Sequence, residues 1–386
     1  MKKICFITGT RAEYGLLMPL MKAVQEEDNF QLQLLVTGMH LSPEFGLTYQ
    51  QIERDGFTID EKVEMLLSAD SASSIAKSTG LGMIGYTDAL MRLQPDWVIV
   101  LGDRYEVFAA TTTAFLLRIP IAHVSGGEVT EGATDDAMRH AITKMSYLHF
   151  TSTDEYKRRV EQLGETPDRV FNVGAIGLDN ILQMDLLSRE ALSESIQFDL
   201  SNPYLLVTFH PVTLESQSSK TQFQAFLDAL DAFPDVKVVI TLPNSDADGR
   251  VIINMIQQYV KENAHRVAAY TSLGQLRYLS AMKHAVAVVG NSSSGIIETP
   301  AFHIPTVNIG DRQRGRARVS SIIDCPTDTQ SIIEAIEQAI SPSFQEHCQH
   351  VENLYGDGHT TERIMTVLQK VSSEAIDLKK VFFDVR

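Results

Sequence analysis

At 386 residues the chain is long enough for two ordinary domains, and with 44% apolar and 21% charged residues it is globular rather than fibrous, disordered or repetitive. A net charge of −16 argues against nucleic-acid binding, which asks for a basic face, but leaves room for an anionic small molecule held by a local cluster of arginines. Three scattered cysteines, Cys5, Cys325 and Cys348, supply no disulfide framework and fit a reducing compartment, and no segment approaches the ~18 apolar residues of a membrane helix.

The N-terminal apolar run is short and meets Thr8-Gly9-Thr10-Arg11 at once, so it reads as a buried first strand, Ile4–Thr8, of a cytoplasmic protein rather than as a signal peptide. A helix follows over Leu16–Glu27, with apolar residues at helical spacing, and then a strand over Leu32–Thr37. Trp97–Leu101 is a strand ending in Gly102-Asp103-Arg104, and Ile119–Val124 runs into Gly126-Gly127-Glu128. Leu148–Thr151 and Val170–Val173 continue the series. After a polar stretch near 188–202 a second series begins. Tyr204–Thr208 ends at His210-Pro211, Val236–Thr241 at Pro243-Asn244, Ala285–Val289 at Gly290-Asn291, and Thr306–Ile309 at Gly310-Asp311-Arg312. Thr360–Lys370 has the spacing of an amphipathic helix.

Strands alternating with helical stretches predict α/β architecture with parallel sheets. The division expected is an N-terminal Rossmann-like domain over 1–175, a second over 176–365, and a C-terminal tail, 366–386, packing back on the first. The two domains would face each other across a cleft. Nearly every strand ends in Gly, Asp, Glu, His, Asn or Arg, and in open α/β sheets ligands bind outside the carboxyl ends of the strands.

Three segments are candidates for holding an anion. Thr8-Gly9-Thr10-Arg11 sits between strand and helix, where amides and Arg11 can meet a phosphate; its bland reading is an ordinary turn with a surface arginine. In Asn291-Ser292-Ser293-Ser294-Gly295, capping alone needs one serine, so three suggest a diphosphate cradle, with Glu298 one turn on to accept ribose hydroxyls. Gly310 to Arg318 places Arg312, Arg314, Arg316 and Arg318 in a very acidic protein directly after a strand, which favours an anion loop over a solvated face.

The acidic candidates are Asp103, Glu128, Asp135 and Asp136, strand-end carboxylates that can act as acid and base where their environments differ. Against this, Asp135 and Arg139 are four apart and can form a mere surface ion pair. His210 can donate to phosphate or shuttle a proton, although a lone histidine is more often structural. There is no GxSxG elbow, Walker A loop or HExxH, and His347, Cys348 and His350 lie far from other ligands, so neither a metal nor a cofactor is expected.

Taken together these motifs resemble the hydrolysing UDP-N-acetylglucosamine 2-epimerases of bacterial sialic acid synthesis. The match runs in order from Gly9-Thr10-Arg11-Ala12-Glu13-Tyr14-Gly15 through Val36-Thr37-Gly38-Met39-His40, Gly102-Asp103-Arg104, Gly126-Gly127-Glu128 and Asp135 to Arg139-His140. It continues with Asn291 to Gly295, Glu298, and Gly310-Asp311-Arg312-Gln313 with Gly315-Arg316. The resemblance implies a GT-B fold and a homodimer or homotetramer. It implies removal of the C2 proton of UDP-N-acetylglucosamine, loss of UDP to leave a glycal, and hydration to N-acetylmannosamine. By matching position, Asp103, Glu128 and Asp135 would form the acid–base set, supported by Arg139 and His210. Arg11, Asn244, Ser292, Ser293, Ser294, Gly295, Glu298, Arg312 and Arg316 would hold UDP. Ala12 and the serine triplet place the chain on the hydrolysing side of the group. A sister group acting on 2,4-diacetamido-trideoxy sugars of the legionaminic acid route has the same motifs, and the sugar would be read around Met39 to Gly46 and Ser68 to Gly85. Two other classes compete: a GT-B glycosyltransferase, which needs at most one base, and a non-catalytic nucleotide-sugar sensor, which needs no carboxylate set.

Overall fold

Alternate residues of a strand face opposite sides of its sheet, and here both sides are dry. Ile4 and Phe6 join one buried cluster while Cys5 and Ile7 join another. Such a strand must be covered by helices on both faces, which is why it reads as continuously apolar rather than alternating. A computed structural model, which describes residues 1–67, 71–130, 134–210, 219–243, 249–374 and 376–385, contains this arrangement twice.

The first sheet contains β1 (Lys2–Thr8), β2 (Phe30–Thr37), β3 (Glu61–Val63), β4 (Trp97–Leu101), β5 (Ile121–Val124), β6 (Leu148–Thr151) and β7 (Val170–Asn172). All pairs are parallel, in the order β3-β2-β1-β4-β5-β6-β7. The order reverses between β1 and β4, so the loops after Thr8 and Leu101 leave the sheet side by side. The second sheet contains β8 (Tyr204–Thr208), β9 (Lys237–Thr241), β10 (Val267–Tyr270), β11 (Ala287–Gly290), β12 (Thr306–Ile309) and β13 (Ile322–Cys325). It is again parallel, in the order β10-β9-β8-β11-β12-β13. Its central strand splits the same way: Leu205 and Val207 pack on one face, Tyr204 and Leu206 on the other.

The chain divides into two compact bodies. The first is Met1–Glu128, Thr134–Asn180 and Tyr355–Arg386, and the bulk of the second is Ile181–Leu354. The helix Thr360–Ser372 therefore belongs wholly with the first body, which moves the boundary expected at 365 back to about Tyr355. The reason is its apolar stripe: Ile364, Met365 and Leu368 are buried in the same cluster as Leu17, Leu20 and Val24 of the helix Arg11–Glu26. Residues beyond it hold on by charge. Lys380 donates to the carbonyls of Lys144 and Ser146 and meets the buried Glu165 at 2.5 Å.

Three strands were not foreseen: β3, β10 and β13. Each lies at or next to a sheet edge, is three or four residues long, and has fewer buried positions than the central strands. No helix among the described residues is long and apolar enough to cross a membrane.

Candidate active site

The first body gathers acids at its strand ends. Gly102 leaves β4 with a positive φ of 80° and places Asp103 where the Arg139 guanidinium binds its carboxylate directly. Arg139 comes from the helix Thr134–Met145 and is only 4% exposed, so it is no surface ion-pair partner. Asp135 is half-buried one turn earlier on the same helix. Glu128 follows β5 and is buried, with the Ser152 hydroxyl donating to its Oε1 at 3.1 Å. Gly127 makes that placement possible: its φ is +79°, and a Cβ there would sit 2.4 Å from the Tyr156 carbonyl oxygen.

The turn after β1 is more elaborate than a strand–helix connection requires. Thr10 caps the helix, and the buried Glu13 closes the box by accepting from the amides of Gly9 at 2.7 Å and Thr10 at 3.2 Å. Arg11, between them, is exposed. Burial pushes the Glu13 carboxyl up to about 7, the charge of Glu106 adds to this, and Arg104 and the two amides oppose it. Arg104 in turn bonds Glu106, which is completely buried. His40, from the Val36–His40 motif, hydrogen-bonds the hydroxyls of Thr8 and Thr48, and burial holds it at about 4, hence neutral.

The second body presents hydroxyls, amides and cations instead. Gly290 ends β11 so close to β8 that a Cβ would lie 2.0 Å from the Thr208 carbonyl oxygen. Asn291 and His210 are thereby locked together: the His210 amide donates to Asn291 Oδ1 at 2.7 Å, and Asn291 Nδ2 returns a bond to the His210 carbonyl at 2.8 Å. Ser292 caps the helix Ser293–Ile297 and lies 3.0 Å from the Ser294 hydroxyl, which meets Tyr278 at 2.7 Å. Gly295 is buried and Ser293 half-buried on that turn. Glu298 is half-buried just beyond, and burial alone raises its carboxyl to about 7.

The four arginines separate by role. Arg312 donates to the Asn291 carbonyl at 3.0 Å, beside Gln313 at 2.8 Å, and Arg316 is buried. Arg318 is spent on Asp324 and on the Gln313 and Arg316 carbonyls, so it shapes the loop. Arg314 is exposed and pairs with the exposed Asp311. Asn244 and residues 68–70 of the proposed sugar-reading stretch lie outside the described residues. Among the described residues there is no group of three or more His, Cys, Asp or Glu side chains placed to hold a metal ion.

The family model for UDP-N-acetylglucosamine 2-epimerase matches residues 22–369. A relative from Campylobacter jejuni, a GDP/UDP-N,N'-diacetylbacillosamine 2-epimerase (hydrolyzing), is 40% identical over all of this chain and 99% of its own length. The chain belongs to the hydrolysing UDP-N-acetylglucosamine 2-epimerase family. A polysialic acid biosynthesis protein of Escherichia coli is 37% identical, with 100% of this chain and 98% of that protein covered. Among solved structures, the UDP-GlcNAc 2-epimerase of Neisseria meningitidis bound to UDP-GlcNAc superposes with a TM-score of 0.80 at 21% identity, covering 95% of this chain and 100% of that one. That likeness gives the fold: GT-B-like α/β.

Behind the strand-end candidates stand further buried polar groups that the sequence motifs did not single out. Glu13 carried a visible signal, the Thr-x-x-Glu spacing of a capping box. His123 and Tyr278 carried none, because each makes its contact with a residue distant in sequence, and the complete burial of Glu106 is not visible in its spacing from Arg104.

Proposed function

We propose that the protein is a hydrolysing 2-epimerase of UDP-N,N'-diacetylbacillosamine, a UDP-2,4-diacetamido-2,4,6-trideoxyhexose. The observation that carries the choice of sugar is the 40% identity, end to end, to the Campylobacter jejuni GDP/UDP-N,N'-diacetylbacillosamine 2-epimerase. In this reading Asp103, Glu128 and Asp135 supply acid and base, with Arg139 orienting Asp103. One carboxylate removes the C2 proton as the C1–O bond to UDP breaks, leaving a 2,3-unsaturation-free glycal with its double bond between C1 and C2. Water then adds at C1 while a proton returns to C2 from the opposite face, giving the free C2-inverted sugar. A weakly acidic C–H asks for a positioned carboxylate, and a departing diphosphate asks for cations and dipoles.

Those cations and dipoles are supplied by Arg312, Arg316, the hydroxyls of Ser292, Ser293 and Ser294, and the Gly295 amide, with Arg11 and Asn244 assisting. His210, fixed by Asn291, donates to the leaving phosphate. Glu298 accepts from the ribose hydroxyls, an exchange that offsets its burial. A second reading keeps the chemistry and takes UDP-N-acetylglucosamine as substrate; the 37% identity to the polysialic acid protein favours it.

Proton NMR in deuterated water separates the readings. Incubation with each sugar nucleotide is expected to release UDP and a C2-deuterated free sugar from the diacetamido substrate at the higher kcat/KM. The reverse preference moves the substrate to UDP-N-acetylglucosamine. No turnover of either sinks the epimerase reading and leaves a glycosyltransferase to pursue.

A further inference from the structure

His123 lies within β5, and its imidazole is completely buried. Its Nε2 is 2.8 Å from the carbonyl oxygen of Gly102, the residue before Asp103. A carbonyl oxygen can only accept, so Nε2 carries the proton and Nδ1 is left as the acceptor. The hydroxyl of Thr143 donates to Nδ1 at 3.1 Å. Thr143 is itself fully buried and stands on the helix Thr134–Met145, which bears Asp135 and Arg139. The chain then bends back over the same ring on its way to Glu128: a Cβ on Gly126 would lie 3.1 Å from His123 Nδ1 and 3.1 Å from the Thr143 hydroxyl. One imidazole thus touches each of the three segments that carry the acid–base carboxylates.

We propose that His123 is a positioning residue for the acid–base set, a neutral imidazole of fixed tautomer that holds the Asp103 turn, the Asp135–Arg139 helix and the Gly126–Glu128 turn in mutual register. The inference rests on the proposed roles of Asp103, Glu128 and Asp135. A core histidine serving packing alone would cost the desolvation of two ring nitrogens where a leucine costs none. Here both nitrogens are paired, and both partners belong to segments bearing those carboxylates. The other fully buried histidine of this sheet, His149 on β6, faces different company, the Glu165 carboxylate. Burial, with His149 and Arg139 nearby, holds His123 down at about 3 against the opposing pull of the Gly102 carbonyl and Asp103, so the ring is neutral near pH 7. Neutrality matters, because a doubly protonated ring would have no acceptor for the Thr143 hydroxyl.

The test compares His123→Gln with His123→Asn. A glutamine amide nitrogen reaches the place of Nε2 and keeps the donation to Gly102; asparagine reaches only the level of Nδ1 and loses it. With the diacetamido sugar nucleotide, H123N is expected to lose about a hundredfold in kcat and H123Q about tenfold or less, with KM and UDP affinity unchanged in both, as displacement of a carboxylate by about 1 Å implies. Nitrogen-15 NMR of histidine-labelled parent protein is expected to show a protonated Nε2 and an unprotonated Nδ1 across the pH range of activity. In Thr143→Val the Nε2 proton is expected to stay, held by the Gly102 carbonyl, while kcat falls because the helix bearing Asp135 and Arg139 has lost its bond to the ring. An H123N enzyme with parental kcat, or a ring protonated at Nδ1, overturns the proposal. Should H123N not fold, a parental kcat in Thr143→Val overturns it instead. Failure of the epimerase reading looks different: the parent itself then turns over neither sugar nucleotide.

Discussion

The two bodies of this protein are built by the same rule and place different residues at their strand ends. Each is a parallel sheet whose order reverses at its first strand, with dry faces on both sides and a glycine that lets the chain leave a central strand at close quarters. Where they part is in the residue that follows the glycine. In the first body Gly102 delivers Asp103 and Gly127 delivers Glu128; in the second Gly290 delivers Asn291 and the serines, and Gly310 opens the arginine loop. Topology fixes where chemistry can be placed, and a handful of strand-end residues decides which chemistry it is. In the proposed reading the first body moves protons and the second holds the anion.

The sharpest way to break this comparison is Asp103→Asn. Turnover is expected to fall by about 10²–10⁴-fold while UDP affinity, measured by calorimetry, stays at the parental value. Weakened UDP binding in D103N would mean that the labour is not divided as described. The mirror experiment is Arg316→Ala in the second body. Loss of a charge-assisted contact of ~1.5–3 kcal/mol predicts UDP binding weaker by about 10–100-fold, with solvent deuterium still entering C2 at saturating substrate.

The architectural side of the comparison is tested by Gly127→Ala and Gly290→Ala. Both introduce a Cβ against a carbonyl oxygen, at 2.4 Å and 2.0 Å respectively, and both positions have positive φ. Each is expected to cost about 1–3 kcal/mol of stability, read as a lowered Tm. A silent substitution at either site would remove the claim that the glycine is what admits the functional turn.

The smallest effect concerns the two carboxyls that burial raises to about 7, Glu13 in the first body and Glu298 in the second. Each binds its proton more tightly folded than unfolded. The stability that this adds is complete below the ordinary value of 4.5 and is lost as pH rises toward about 7. In Glu13→Gln and Glu298→Gln, the fall of Tm between those pH values is expected to flatten. An unchanged slope in both variants would show that neither group titrates there. Bound UDP is expected to reduce the slope further in the Glu13→Gln variant, where Glu298 is intact, because a hydroxyl partner favours the ionised carboxylate.

Much of this was legible in the sequence, for physical reasons. A strand buried on both faces has to be apolar throughout, so the central strands stood out. The residues at their ends stood out because polar groups there have no packing reason to be present. The edge strands β3 and β13 stayed hidden because an edge position relaxes that demand: Glu61, Lys62 and Asp324 fit there without cost. Among site residues, Asp103 and Arg316 stand out as candidates from their motifs, whereas the Asp103–Arg139 contact joins residues far apart in sequence, and the bonds of Arg318, though to near neighbours, depend on how the loop folds. The bland surface-pair reading of Arg139 failed on burial, which helical spacing does not reveal.

The helix Thr360–Ser372 gives the chain an unusual order of manufacture. Its Ile364, Met365 and Leu368 complete the core begun by Ile4 and Phe6, so the first body to be started is the last to be finished. While the ribosome is making residues 181 to 354, the apolar flank of Leu17, Leu20 and Val24 lacks its cover, and the second body can close without waiting for it. Vectorial synthesis thus leaves one half of the molecule open for as long as the other takes to emerge. A nonsense codon just ahead of Thr360 would therefore damage the body that holds the first strands, while leaving the second body's chain whole.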